Sequence, residues 1–403
     1  MDSYWGRLLG TVQWTVTGDG YWNSFRGIYC GNCPLDGSCT QILMALWSIV
    51  RQFPKSPKAL LTVGSLLTAY IMMIPLFSEL HPANQTQEFY HKVRCSRLQA
   101  KISNMSTTKK MDMQAFCVAL DDLFTCSVKP NITLRETYRV QLRSCCNASG
   151  SLFLTQKNSE VNQSVPYETR PNVKYKLTPD VYSKLPQDMP WRGRSLDRCA
   201  VVGSSGILLN SSCGREINSA DFVIRFNMAP VNSSDVGVKC DLMNINPSQI
   251  NREFSDFMRN DSRLRRKLDG YTNTTFMIAA FAYTFCTKQS VNLLQAMWPE
   301  RHLLFLSPTY LRTLDQFWRR RGLRAPRLST GFMLISSALE LCHNVHVYGF
   351  WPFGTDLHQR PVNYHYYDKI QASRVMHAMP EEFLRLLQLH SQGALTLHLQ
   401  PCT

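Results

Sequence analysis

Residues 198–206 read Arg-Cys-Ala-Val-Val-Gly-Ser-Ser-Gly, an apolar run that leads into a turn with two glycines. The small and β-branched residues favour a buried strand, and the glycines favour a tight turn directly after it. Backbone N–H groups in such a turn can approach a phosphate without a large side chain between them. The stretch does not match the dinucleotide-binding pattern G-x-G-x-x-G, so an ordinary tight turn is the alternative interpretation.

Short apolar runs of the same kind recur downstream, and helical patterns separate them. The predicted strands cover residues 199–203, 222–226, 241–245, 276–281, 302–306 and 345–350. The clearest helical patterns are Gly331–Cys342 and Pro380–His390. This alternation predicts an α/β domain with a mostly parallel sheet that is covered on both faces. In such sheets the ligand binds beyond the carboxyl ends of the strands.

Composition narrows the class of protein further. The chain has 403 residues, of which 44% are hydrophobic and 18% are charged. These values exclude a disordered chain, a coiled coil and a collagen-like fibre. Lys and Arg outnumber Asp and Glu by 44 to 29, and the resulting net charge of +15 favours anionic partners such as nucleotides, acidic sugars or phospholipids.

An uncharged apolar stretch at residues 59–77 is long enough to cross a bilayer as a helix. Arg51, Lys55 and Lys58 precede it and Glu79 follows it, so the amino terminus is predicted to be cytosolic and the remainder luminal. A buried core helix is the alternative. The predicted organisation is therefore a cytosolic tail (1–58), a signal anchor of a type II membrane protein (59–77), a luminal stem (78–140) and a catalytic domain (141–403).

Glycosylation sequons support the luminal assignment. Nine Asn-x-Ser/Thr sites occur, and all follow the apolar stretch; their asparagines are Asn84, Asn104, Asn131, Asn147, Asn162, Asn210, Asn232, Asn260 and Asn273. Eleven of the fourteen cysteines also lie beyond residue 77, in a compartment where disulfides persist. Eleven is an odd number, so at least one of these thiols is expected to be unpaired within the chain. A luminal domain is not expected to meet nucleic acid, whatever its charge.

Two further segments carry residues suited to chemistry. Ser329, Thr330 and Gly331 open a predicted helix, where hydroxyl and N–H groups can hold an anion, although an ordinary helix cap is the alternative. His365 and His377 are suited to proton transfer near neutral pH, although surface or structural histidines are the alternative. The sequence Asp-x-Asp is absent from the chain, so the metal-diphosphate chemistry of many sugar-nucleotide enzymes is not expected.

Taken together, four segments resemble the ordered motifs of the animal sialyltransferase family. The long motif resembles residues 198–231, the short motif 328–353, the third motif the His-Tyr-Tyr-Asp of 365–368, and the very short motif His377-x4-Glu382. The subfamily resembled is that of the α2,8-sialyltransferases. The spacing of His365 and His377 and the stretch FWRRRGLRAPRLSTG are most similar to its ganglioside branch, the disialoganglioside synthases.

The resemblance implies a Golgi enzyme with a Rossmann-like, metal-independent glycosyltransferase fold. It implies CMP-sialic acid as the donor, a sialylated glycolipid or glycoprotein as the acceptor, and no cofactor or metal. His377 is the implied general base, and His365 the implied donor of a proton or hydrogen bond to the departing phosphate. The implied donor-binding residues are Ser204, Asn227, Ser329, Thr330, Gly331, Trp351 and Tyr364. The resemblance also implies disulfides between Cys199 and Cys342 and between Cys213 and Cys402.

Two departures from the family pattern keep other functions open. Ser204 stands where the family usually has Asn, and Phe226 stands where Cys is usual. Serine offers one rotating hydroxyl in place of an amide that both donates and accepts, so donor affinity is expected to fall severalfold. The alternatives to glycolipid α2,8-sialylation are the same chemistry on glycoprotein glycans, and a catalytically impaired Golgi protein that binds sialoglycans. Association into a homo-oligomer is also left open.

Overall fold

The computed structural model describes residues 87–108, 112–231, 234–247, 249–250, 263–271, 273–369 and 377–402. Its centre is a seven-stranded sheet in which every neighbouring pair is parallel. The spatial order is β7-β6-β5-β4-β3-β8-β9. The strands are β3 (Leu196–Val202), β4 (Phe222–Phe226), β5 (Leu242–Asn244), β6 (Thr275–Ile278), β7 (Leu303–Phe305), β8 (Cys342–Tyr348) and β9 (Thr396–His398), and a separate antiparallel hairpin consists of β1 (Ser164–Pro166) and β2 (Lys174–Lys176).

The parallel α/β class is confirmed, and each predicted strand has an observed counterpart. The central strand β3 pairs with β4 on one side and with β8 on the other. All five residues of β4 are buried, as a strand covered on both faces requires. The run predicted as 276–281 is extended only to Ile278, because the carbonyl groups of Phe281 and Ala282 instead accept hydrogen bonds from residues 168 and 169.

Helices cover both faces of the sheet. In chain order they are α1 (residues 87–103), α2 (Met113–Phe124), α3 (Ile132–Cys145), α4 (Ala148–Ser151), α5 (Pro179–Ser183), α6 (Gly214–Asn218), α7 (Arg263–Asp269), α8 (Thr284–Met297), α9 (Pro308–Arg320), α10 (Thr330–Leu341) and α11 (Met379–Ser391). Nearly all of α10 is buried, including Ser336 and Ser337. Both serine hydroxyls donate to backbone carbonyls one turn earlier, so these buried polar groups are hydrogen-bonded.

The packed structure does not begin at residue 141, the predicted boundary between stem and catalytic domain. Helix α3 runs through that position and packs against α10. Leu120, Leu123 and Leu142 are fully buried and belong to the same core cluster as strands β3 and β8. Their apolar side chains form the buried faces of α2 and α3, so much of the predicted stem contributes to the core of the α/β domain.

Four disulfides link eight of the cysteines that follow residue 77. Two are the pairs implied by the family resemblance, Cys199–Cys342 and Cys213–Cys402. The other two are Cys95–Cys126 and Cys145–Cys146. Within the described residues, the unpaired thiols are those of Cys117, Cys240 and Cys286.

The predicted tail and anchor lie outside the described residues, as do the sequon asparagines Asn84, Asn232 and Asn260. In the part of the chain that the structure describes, no helix is both long and apolar enough to cross a bilayer. The remaining six sequon asparagines are all exposed: Asn104, Asn131, Asn147, Asn162, Asn210 and Asn273.

Candidate functional site

A cavity of about 220 Å³ opens at the carboxyl ends of strands β3, β4 and β8. This is the edge where a ligand is expected in a parallel α/β sheet. Every catalytic and donor-binding residue suggested by the sequence lines it: Ser204, Asn227, Ser329, Thr330, Gly331, Trp351, Tyr364, His365 and His377. Residues separated by more than 170 positions in the chain thus meet around one space.

The turn after β3 lies unusually close to the turn after β8. A Cβ atom on Gly203 would lie 2.4 Å from the carbonyl oxygen of Gly349, so only glycine fits there. The amide of Ser205 donates to that same oxygen at 3.1 Å, and the carbonyl of Ser204 accepts from Tyr366 at 2.9 Å. Within the described residues, the Ser204 hydroxyl has no hydrogen-bond partner, so it is available to a ligand in the cavity.

Asn227 is fixed by a polar network at the ends of β4 and β5. Its backbone is left-handed, with φ of 56°, a conformation that asparagine tolerates better than most residues. Its Oδ1 accepts from the amide of Asn246 at 3.0 Å, which leaves the two donors of its side-chain amide for the cavity. Asn246 also lines the cavity, and its Oδ1 accepts from the side chain of Asn244 at 2.9 Å.

The first turn of α10 forms one wall of the cavity. Ser329 is its N-cap and accepts from the amide of Phe332. The amide and hydroxyl of Ser329 both donate to Glu382, so neither is free for a ligand in this arrangement. Among the residues that the structure describes, the amides of Thr330 and Gly331 have no partner at this helix start, where the helix dipole favours an anion. A Cβ on Gly331 would lie 2.5 Å from Cε1 of Phe350, so any larger residue there would displace this ring.

His377 is held in one tautomer by the main chain. Its Nδ1 lies 3.0 Å from the carbonyl oxygen of Arg327. A carbonyl can only accept, so Nδ1 must carry the proton and the neutral ring has its lone pair on Nε2. Burial lowers the pKa of His377, and the nearby Arg327 guanidinium lowers it further, whereas the hydrogen bond to the carbonyl opposes this shift. The ring is therefore a neutral proton acceptor at pH values where a free histidine is already partly charged.

His365 is oriented by a side chain instead. Its Nδ1 lies 2.9 Å from both carboxylate oxygens of Asp368, and its ring stacks on Tyr367. This arrangement directs Nε2 away from Asp368. The two residues joined by this hydrogen bond lie three positions apart in the sequence.

The aromatic residues of the cavity supply ring surface. Trp351 is 4% exposed, and its indole N–H donates to the carbonyl of Thr355 at 2.8 Å. Its ring contacts Phe353 and Phe383 edge-on. Burial raises the pKa of Tyr364, so its hydroxyl remains protonated and able to donate.

Asn246 and Glu382 also line the cavity, but the sequence did not single them out as ligand-binding. Asn246 directly follows the predicted strand 241–245, and this position at a strand end could have indicated that it lines a ligand site. Glu382 was recognised only as part of a motif, because nothing local indicates that it caps a helix that begins fifty residues earlier. The arginines of the stretch FWRRRGLRAPRLSTG differ in their surroundings: Arg327 is partly buried and pairs with Glu168, whereas Arg320 and Arg324 are exposed.

Ligand-type side chains also cluster elsewhere in the described part of the chain. One group consists of His91, Cys95 and Cys126, and the other of Glu216, His398 and Cys402. Each group includes sulfur that is already in a disulfide, which is not the thiolate a metal requires. Neither group lines the cavity.

A cavity at this edge, with a helix start and two oriented histidines around it, is suited to bind an anionic ligand and to transfer a proton. Residues 153–394 match the model of glycosyltransferase family 29, the sialyltransferases. The chain belongs to this family and is a glycosyltransferase.

Curated relatives agree with this assignment. The chain is 35% identical over 320 residues to human alpha-2,8-sialyltransferase 8E, an alignment that covers 78% of this chain and 85% of that protein. It is 37% identical over 278 residues to the alpha-N-acetylneuraminide alpha-2,8-sialyltransferase of Bos taurus, covering 68% of this chain and 78% of the relative. Among solved structures, a mammalian sialyltransferase in complex with Gal-beta-1-3GalNAc-ortho-nitrophenol is 18% identical, with a TM-score of 0.40 and coverage of 74% and 92% of the two chains.

Proposed function

We propose that this enzyme transfers sialic acid from CMP-sialic acid to the terminal sialic acid of a glycolipid, forming an α2,8 linkage. The observation that carries the proposal is the convergence of nine predicted residues on one cavity, with His377 fixed as the tautomer that accepts a proton on Nε2. The names of the relatives support the linkage. The ganglioside-like spacing of His365 and His377 supports the choice of acceptor.

The proposed reaction is a single inverting displacement. The acceptor hydroxyl attacks the anomeric carbon of the donor, His377 Nε2 takes the hydroxyl proton, and the bond from that carbon to the CMP phosphate oxygen breaks. CMP leaves with the bonding electrons, and the N–H at Nε2 of His365 donates a hydrogen bond to its phosphate. The amides of Thr330 and Gly331 stabilise the growing negative charge at the helix start.

Ser204 and Asn227 face this cavity from the ends of β3 and β4, and we assign them to the donor. Trp351 and Tyr364 also line the cavity and provide apolar surface and one hydroxyl. Ser329 acts indirectly in this proposal, because its polar groups are bonded to Glu382 and position the helix start. The charge of the donor is met by fixed dipoles and cationic or neutral donors, so the proposed reaction needs no metal.

We further propose that the enzyme is a single-pass type II protein of the Golgi membrane with its catalytic domain in the lumen. The apolar stretch at residues 59–77, its flanking charges and the position of the sequons support this location. The disulfides suit the same oxidising compartment.

One observation favours a second candidate, a protein that binds sialoglycans without turnover. The hydroxyl of Ser204 stands where the family usually has the longer asparagine side chain. The Ser204→Asn variant should gain transfer activity if this candidate is correct. Strong transfer by the unaltered chain eliminates it.

The test is transfer by the full-length chain in detergent micelles, with CMP-sialic acid and EDTA. Sialylated glycolipids and a sialylated glycoprotein are offered as separate acceptors. His377→Ala is expected to abolish transfer, and His343→Ala, at an exposed position on β8, is the matched control. Transfer to glycoprotein alone would refute the proposed acceptor, and transfer that survives His377→Ala would refute the proposed base.

A further inference from the structure

The buried carboxylate of Glu168 pairs with the partly buried guanidinium of Arg327 beside the cavity. The guanidinium donates two hydrogen bonds, from Nε to Oε1 at 2.7 Å and from Nη2 to Oε2 at 2.8 Å. The two side chains are 13% and 6% exposed for Arg327 and Glu168 respectively. A bidentate contact of this kind fixes the orientation of the guanidinium as well as its position. Neither residue lines the donor cavity.

The carboxylate side of the pair is anchored to the sheet. The amide of Glu168 donates to the carbonyl of Phe281 at 2.9 Å. The amide and hydroxyl of Thr169 both donate to the carbonyl of Ala282, at 3.3 and 2.8 Å. These carbonyls follow the end of β6, so Glu168 is a fixed point relative to the carboxyl edge of the sheet.

The arginine side of the pair lies in a loop that side chains hold in place. In the described part of the chain, the amides of Arg324, Ala325 and Arg327 donate to no backbone carbonyl, and Pro326 has no amide hydrogen to donate. Arg319 instead donates to the carbonyls of Ala325 and Pro326, at 2.6 and 3.3 Å, and Arg327 reaches Glu168. The next carbonyl along this loop, that of Arg327 itself, accepts from His377 Nδ1.

We propose that Glu168 is a positioning residue for His377, acting through Arg327: the ion pair fixes the Arg327 carbonyl that sets the tautomer and direction of the imidazole. This inference rests on the proposed function, because it assumes that His377 accepts the proton of the acceptor hydroxyl. Glu168 also supplies the negative charge that balances the Arg327 guanidinium next to the ring. Glu382, Tyr364 and His365 are the other titratable groups around the same cavity.

Removing the charge of Glu168 has two separable consequences. In Glu168→Gln the loop loses its anchor, so kcat should fall about 10- to 100-fold, as expected for a misplaced catalytic group. The Arg327 charge is then unbalanced, so the pKa of His377 falls further and the acidic limb of the rate profile moves to lower pH. The KM for CMP-sialic acid should stay near the wild-type value, because the pair does not touch the donor cavity.

The Glu168→Asp variant changes the geometry of the ion pair while keeping its charge. It retains the carboxylate but shortens the side chain by one methylene, so kcat should fall while the acidic limb stays in place. Glu160→Gln, at an exposed position eight residues earlier, is the matched control and should leave both unchanged. Near-ultraviolet circular dichroism and CMP binding establish that each variant is folded.

The decisive experiment measures kcat, the donor KM and the pH profile of the full-length wild type, the three Glu variants and His377→Ala. Loss of kcat in both Glu168 variants, with a shifted limb only in Glu168→Gln, supports the proposal. Wild-type kcat in a folded Glu168→Asp or Glu168→Gln overturns it. If Glu168→Gln does not fold, the result for Glu168→Asp decides. Transfer that persists in His377→Ala would instead show that the base assignment, and hence the proposed function, had failed.

Discussion

Glu382 accepts hydrogen bonds from both the amide and the hydroxyl of Ser329, at 2.7 and 2.5 Å. The carboxylate belongs to α11 and the serine is the N-cap of α10, so this contact joins the two helices that border the cavity. It also places a titratable group at the positive end of a buried helix. Burial raises the pKa of Glu382 to about 7, even though the two hydrogen bonds and the Arg327 charge oppose the shift.

Glu382 is therefore expected to make the folding stability depend on pH. Its native pKa exceeds that of an unfolded glutamate, so the native state binds more protons between pH 4.5 and about 7. Stability from this group is present below that range and is lost as the pH rises through it, by at most about 1.4 kcal/mol per pH unit. Denaturant unfolding of Glu382→Gln should show a weaker fall over this range. Glu381→Gln is the neighbouring control, and an unchanged slope in Glu382→Gln would contradict the assignment.

The activity profile should report the lowered pKa of His377. A general base is active only when unprotonated, so transfer should decline on the acidic side with a midpoint below pH 6.5, the ordinary histidine value. The measurement is kcat/KM for transfer across pH 5 to 8 at saturating acceptor. A limb with its midpoint above pH 6.5 would contradict the lowered pKa of His377.

Ser204→Asn should strengthen donor binding if Ser204 contacts the donor. An added hydrogen bond contributes on the order of 1 kcal/mol, which corresponds to a severalfold lower KM for CMP-sialic acid. The nearby Ser205→Asn is a poor control because its hydroxyl caps the turn after β3, so Ser195→Asn, at an exposed position just before β3, is preferred. An unchanged donor KM in Ser204→Asn would remove Ser204 from the donor site.

The Cys199–Cys342 disulfide is expected to be important for stability, because it joins β3 to the first residue of β8 across 143 positions. The chain-entropy model assigns a loop of this length roughly 4 to 5 kcal/mol. The double variant Cys199→Ala and Cys342→Ala should show a markedly lower urea midpoint than wild type. Cys286→Ala removes a buried thiol that is unpaired and controls for lost packing. Equal midpoints for the two variants would contradict the stabilising role.

His390 should contribute to acid unfolding. It is 8% exposed, stacks on Phe124 with ring centroids 4.9 Å apart, and has its pKa lowered by burial to about 4. The unfolded histidine binds a proton near pH 6.5, so stability from this group is present above that pH and is lost as the pH falls toward 4. His390→Gln should reduce this slope in denaturant titrations, whereas the exposed His343→Gln should not. A wild-type slope in His390→Gln would show that His390 is not buried as neutral imidazole.

Local sequence predicted the elements of the sheet well. The run around Val201 is apolar on both faces, and the run around Ile224 is apolar except for Arg225, so both favour buried strands. The ends of the strands are not predicted as well. The strand predicted to reach residue 281 ends at Ile278, because the carbonyl groups beyond it accept hydrogen bonds from elsewhere in the chain. The helices α2 and α3 were assigned to a stem for a related reason. Their polar residues and sequons are visible locally, whereas the burial of Leu120 and Leu142 depends on surfaces supplied by distant segments.

The candidate site likewise combines features that the sequence predicts with contacts that it does not. Local features of the sequence, such as strand ends and helix starts, predict the class of fold, and together with the family resemblance they predict nine of the residues that line the cavity. Three contacts instead depend on the tertiary structure: Glu382 accepts from the polar groups of Ser329, Arg327 pairs with Glu168, and His377 donates to the Arg327 carbonyl. Each of these contacts joins residues at least fifty positions apart. Hydrogen bonds act over about 3 Å in space, and no pattern of neighbouring residues specifies which distant partner the fold will bring that close.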